Sequence, residues 1–142
     1  VKTLGERGDA FGMFDKPKGI GLDSFGNVYV VDSSWSNVQI FNQKGQVLLY
    51  FGGRGRAPGL LFNPTGIVLD GQNHIYVADA FNNRIQKFTE NGKLLALWGG
   101  PGSGNNQVNY PAGVAVDPDG HLYVSDFFNN RIIKLVPYLK RS

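Results

Sequence analysis

"DAFNNRIQKF", Asp79 to Phe88, returns 47 residues later as "DFFNNRIIKL", Asp126 to Leu135, and its counterpart 47 residues earlier is "DSSWSNVQIF", Asp32 to Phe41. In the earliest copy the opening Asp and the closing apolar positions survive while the middle has drifted. A ten-residue phrase that recurs at a fixed interval is a structural unit, and a period of this size decides the architecture.

The interval holds outside the phrase. Pro17, Pro64 and Pro111 align, followed by "KGIGLD", "TGIVLD" and "AGVAVD", which end at Asp23, Asp70 and Asp117. The turns "SFGN", "GQNH" and "PDGH" lead into "VYVVD", "IYVAD" and "LYVSD", with Tyr29, Tyr76 and Tyr123 in register. β-Branched and aromatic residues make these second strands. Third strands follow at 38–41, 85–88 and 132–135. A turn, "NQKGQ" or "TENGK", then opens a fourth strand, "VLLYFG" or "LLALWG". The first strands are apolar on successive residues, as expected when both faces of a sheet are covered. Four antiparallel strands per 47 residues, stacked face to face, predict an all-β protein built from the blades of a β-propeller. The expected units are residues 16–52, 63–99 and 110–136. Residues Val1 to Gly5, "VKTLG", are expected to be the fourth strand of a preceding or closing blade, and the third blade to lack its own.

Bulk composition agrees. The 142 residues are 42% hydrophobic and 18% charged, with 20 glycines and 7 prolines, which suits one folded domain of short strands and turns. No apolar run approaches the roughly 18 residues of a membrane-spanning helix. The chain has no cysteine, which excludes disulfides, thiolate metal sites and cysteine nucleophiles. A formal charge of +3 without a basic run gives little electrostatic case for nucleic acid.

The pattern of proline, "GIVLD", a Gly or Asn turn, "IYVADAFNNRIQKF", an Asn-Gly turn and an apolar strand ending in Trp-Gly resembles the NHL-repeat family. The second and third copies match closely and the first loosely. The resemblance implies half of a six-bladed NHL-type propeller, the ring being completed by more of the chain or by a second copy. It further implies a protein-binding scaffold in a bacterial extracytoplasmic setting: periplasm, cell surface or secreted. Some NHL propellers bind RNA, so single-stranded RNA is the alternative partner. A propeller lyase or hydrolase with a channel metal is a third reading, on fold analogy alone.

Within the recurring phrase, Asp79 is expected to pair with Arg84 and Asp126 with Arg131, while Asn82 and Asn83 supply left-handed turn conformations. Asp32 faces Asn37 and must be satisfied otherwise. Loops entering the first strands and loops joining second to third strands emerge on one face, and repeat structure does not dictate their tips. Trp35, Arg54, Arg56, Phe81 and Phe128 are the candidate partner-binding residues there, since interfaces enrich aromatics and arginine. In the alternative, Phe14, Phe81 and Phe128 tuck between blades and only Trp35 is exposed. The opposite face carries Asp23, Asp70 and Asp117, read as turn-starting aspartates, with a hard-cation site as the rival. His74 and His121 occupy one repeat position and do not converge, so no catalytic residue, metal or cofactor is expected and the chain is not expected to be an enzyme. "GGRGRAPG", Gly52 to Gly59, lacks the lysine and spacing of a phosphate-binding loop. Tyr29, Tyr76, Tyr123, Ile85, Ile132 and Phe88 are the expected blade cores.

Overall fold

The computed structural model describes residues 1–135, and within them eleven strands form three antiparallel sheets. The first blade contains β1 (Pro17–Leu22), β2 (Val28–Asp32), β3 (Asn37–Phe41) and β4 (Val47–Gly52). The second contains β5 (Gly66–Leu69), β6 (Ile75–Asp79), β7 (Arg84–Phe88) and β8 (Leu94–Trp98). The third contains β9 (Pro111–Val116), β10 (Leu122–Asp126) and β11 (Arg131–Leu135). Each sheet is a simple meander in which sequence neighbours pair. The helical content of the described residues is two 3-10 turns, Ala80–Asn82 and Phe127–Asn129.

The turns between first and second strands show why the repeat keeps its glycine or asparagine. Gly26, Asn73 and Gly120 occupy one repeat position and all have φ between 63° and 86°. That left-handed region is open to Gly and tolerated by Asn.

Alternation along the middle strands builds the core. Tyr29 and Val31 of β2 point toward the second blade, where they meet Ile67, Ile75, Val77 and Phe88. Residues of the opposite parity in the second blade, Val68, Tyr76 and Ala78, point toward Leu122, Val124 and Val114 of the third. A blade in the middle therefore has two apolar faces, which explains the unbroken "GIVL" of β5.

Two expectations are corrected. Residues Val1 to Gly5 form no strand. A strand needs a ladder partner, and no described strand pairs with this segment; the Lys2 side chain reaches the Gln43 carbonyl. Ile132, expected in a core, is 67% exposed, whereas its repeat equivalent Ile85 is 3% exposed. Ile85 is covered by the third blade, and Ile132 lies on that blade's uncovered face. Tyr29 and Phe88 are buried, and Tyr76 and Tyr123 are half-buried. The expectation that the third blade lacks its own fourth strand concerns residues 136–142, which lie outside the described residues.

Candidate functional site

The loops entering the first strands and those joining second to third strands share one end of the molecule and are bonded to each other. Each entering loop closes on itself through a bridge: Arg7 with Phe14, Arg54 with Leu61, Pro101 with Val108. Leu61 and Val108 are fully buried beneath it. In the second blade, the buried Asp79 carboxylate accepts from the Phe62 amide on one oxygen. Its other oxygen accepts from the side chains of Asn82, Arg84 (2.8 Å) and Gln86. Arg84 continues to the carbonyls of Ala57 and Leu60, and Asn82 to that of Gly55. The third blade repeats the arrangement: Arg131 reaches Asp126 at 2.7 Å and also the carbonyls of Ser103, Gly104 and Gln107. Desolvation would raise the Asp126 pKa, but the Asn109 amide, Asn129 and Arg131 outweigh it and hold the carboxyl below its ordinary value. Of the two asparagines, Asn83 rather than Asn82 takes the left-handed conformation, as Asn130 and Ser36 do at the same position. Asn82 works through its side chain.

The first blade solves the same problem without a guanidinium. Asp32 accepts from the backbone amides of Asp15, Lys16, Ser34 and Trp35. Trp35 stands where Asn82 and Asn129 stand, and its indole N–H donates to the Gly8 carbonyl at 3.0 Å. The asparagines make the equivalent bond to Gly55 and Gly102. Trp35 is therefore part of the loop framework as well as 40% exposed.

The other candidate residues lie on the same end. Arg54 donates to the Ser34 carbonyl and lies over the Phe62 ring, and Arg56 is exposed. Phe81 and Phe128 are 50% and 59% exposed, so they do not tuck between blades; Phe14 is half-buried against Phe41. The structure adds two aromatics that the repeat alignment missed, Phe62 and Tyr110. Phe62 stacks on Phe81, Phe81 meets Tyr110, and Tyr110 meets both Phe127 and Phe128, with centroids 5.5 to 5.8 Å apart. This ladder crosses from the second blade to the third. Its central residue, Tyr110, has φ 61°, an uncommon conformation for an aromatic residue. The Tyr110 amide is held by the Asn83 side chain of the preceding blade. Phe62 and Tyr110 are not repeat equivalents, so only their nearness to the loop phrases could have drawn attention to them.

On the opposite end, Asp23, Asp70 and Asp117 each start a turn as expected. Each accepts from the turn's backbone amides and from the tyrosine hydroxyl six residues on. Desolvation and the Asp70 charge and hydrogen bond push the Tyr76 hydroxyl up to about 12. At Asp117 desolvation is opposed by the His121 amide, the His121 ring at 2.9 Å and the Tyr123 hydroxyl, which bring the carboxyl down to about 2. Asp117, Asp119 and His121 stand close enough to share a cation. Both Asp117 oxygens already serve the turn, so the arrangement is explained by the fold.

Comparison with known proteins agrees with this architecture. The family model described as NHL repeat matches residues 63–88 and 108–135. No curated protein sequence matches the chain. Among solved structures, streptogramin B lyase is similar, at 18% identity and TM-score 0.67, over 84% of this chain and 37% of that one. Virginiamycin B lyase from Staphylococcus aureus is similar at 16% identity and TM-score 0.65, over 85% of this chain and 38% of that one. A luciferin-regenerating enzyme is similar at 17% identity and TM-score 0.62, over 81% and 38%. The chain thus spans less than half the length of these proteins. The expectation that it is not an enzyme is corrected here, because the similar structures are enzymes, two of them lyases. At these identities the likeness is one of fold. Two matching NHL repeats, meandering antiparallel sheets and similar solved propellers together show that residues 63–88 and 108–135 are NHL repeats in a chain with the β-propeller fold.

Proposed function

We propose that the loop-bearing end of the propeller docks a partner polypeptide, with Phe81 and Phe128 as its aromatic anchors and Arg56 and Arg54 beside them. The observation that carries this reading is the ladder of Phe62, Phe81, Tyr110, Phe127 and Phe128, continuous across two blades, with Arg54 over its first ring. Rings that meet one another while leaving large surfaces exposed give a rigid apolar patch that loses little conformational entropy on binding. Docking of this kind serves a scaffold and an enzyme alike.

The test is selection of peptides against the chain from a display library, followed by titration of Phe81→Ala and Phe128→Ala. Each substitution is expected to weaken binding by about 2 kcal/mol or more, the size of an interface hot spot. The unfolding midpoint should barely move, because both rings are exposed loop residues. Undiminished peptide binding would remove the ladder from the site. Single-stranded RNA is the contrasting ligand: if RNA bound strongly and its affinity fell by orders of magnitude between low and physiological salt, phosphate neutralisation would be the driving force and the polypeptide reading would give way.

A further inference from the structure

The first blade contains a cavity where the other two contain an arginine. Asn37 aligns with Arg84 and Arg131, and its short side chain ends before the volume that those guanidinium groups fill. The receiving loop is unchanged. Met13 donates to the Ala10 carbonyl just as Leu60 donates to Ala57 and Gln107 to Gly104. Gln39 bonds the Gly12 amide and the Met13 carbonyl just as Gln86 bonds Gly59 and Leu60. The Ala10 and Met13 carbonyls therefore correspond to the two oxygens that accept from Arg84, with no cation of this chain upon them among the described residues. A cavity of about 210 Å³ remains, lined by Asp9, Phe11, Met13, Trp35, Asn37 and Tyr50 among others.

The lining is matched to a cation. The Asn37 side-chain oxygen is buried and has no hydrogen-bond partner. Asp9 contributes a carboxylate at a position occupied by Arg56 in the second blade, and no basic side chain lines the cavity among the described residues. Phe11 and Tyr50 meet at 4.9 Å and, with Trp35, supply aromatic walls. Carbonyl and amide oxygens, one acid and three rings suit a planar guanidinium, which donates in several directions at once and stacks on aromatic faces.

We propose that this cavity is a binding site for a guanidinium group, supplied by an arginine side chain of a partner polypeptide. The inference goes beyond the aromatic-ladder reading and does not rest on it, because the site lies in the first blade and is defined by repeat equivalence with Arg84 and Arg131.

Nα-acetyl-arginine methylamide, with its citrulline and lysine counterparts, tests it by calorimetric titration and by tryptophan fluorescence in a Trp98→Phe background, which leaves Trp35 as the reporter. The arginine derivative should bind saturably, and the citrulline derivative, the same shape without the charge, at least tenfold more weakly. The lysine derivative should also be weaker, since a single ammonium cannot span both carbonyls. Asn37→Arg should restore the pattern of the other blades, raise the melting temperature and abolish binding of the arginine derivative. Should that variant fail to fold, Asn37→Met extends a longer apolar side chain into the cavity, removes the unpaired amide oxygen and must lose binding too. The proposal is overturned if the arginine derivative does not bind, if citrulline or lysine binds as well, or if the variant that folds binds undiminished. Because the probe is a single amino-acid derivative, a failure of peptide docking on the ladder leaves this result unaffected.

Discussion

Asp79 is completely buried, and Arg84, its charged partner, has a side chain only 12% exposed. Removing that guanidinium leaves the acid with the Phe62 amide, Asn82 and Gln86, and also takes one donor from each of the Ala57 and Leu60 carbonyls. Breaking a buried pair from one side typically costs about 3 to 5 kcal/mol, because a charge stays behind without its counterion. Arg84→Ala should therefore lower stability by an amount in that range in urea unfolding. Arg131→Ala should cost less, since its side chain is 34% exposed and water can replace part of what it provides. A loss below about 1 kcal/mol for Arg84→Ala would put the second pair in the same solvent-screened class. Asp32 shows that the aspartate, not the arginine, is the fixed part of the device, because four backbone amides hold it without any cation.

At the scale of elements, the innermost strands β1, β5 and β9 meet through glycines of one repeat position. A Cβ on Gly19 would lie 3.2 Å from the Gly66 Cα, and one on Gly66 would lie 2.9 Å from the Ala112 carbonyl oxygen and 3.4 Å from the Gly113 Cα. At Gly66 the second and third blades approach backbone to backbone, with no flexible side chain as the nearest neighbour to yield. Gly66→Val should cost about 1 to 3 kcal/mol by overpacking, read as a lowered unfolding midpoint. Gly71→Ala, where an added Cβ meets nothing within 4 Å, is the control and should change little. These strands and their glycines were legible in the sequence because a fixed period converts one recognised strand into three. The Asp–Arg pairs were legible for the same reason. Features that break the period were not. Val1 to Gly5 has the composition of a fourth strand, but composition cannot supply the ladder partner that a strand requires. The aromatic ladder joins Phe62 and Tyr110, which occupy different repeat positions, through stacking that only the folded loops create. The first-blade cavity arises from what Asn37 lacks, and its lining becomes visible only when the equivalent arginines are seen in place.

At the scale of the whole molecule, the two outermost blades present faces of the kind that are buried between blades. Ile20 and Leu22 on β1 are 69% and 63% exposed, and Leu4, Phe14, Pro17, Val28 and Val30 share their side with them around a shallow hollow of about 300 Å³. Their equivalents on β5, Ile67 and Leu69, belong to the core between the first and second blades. At the far side Ile132 is exposed, whereas Ile85 is covered. Fully burying such a side chain contributes about 1.5 to 3 kcal/mol, so each face gains several kcal/mol when another blade covers it. Apolar faces of this kind mark interaction surfaces or drive association. The 142-residue chain, expressed alone, is therefore expected to self-associate through these faces in sedimentation velocity. Ile20→Lys combined with Ile132→Lys should shift it to monomer without loss of the β-sheet signal in circular dichroism. A wild-type chain that sediments as a monomer at high concentration, and whose behaviour the double substitution does not alter, would show that these faces tolerate water and that the arc is stable with both of its ends uncovered.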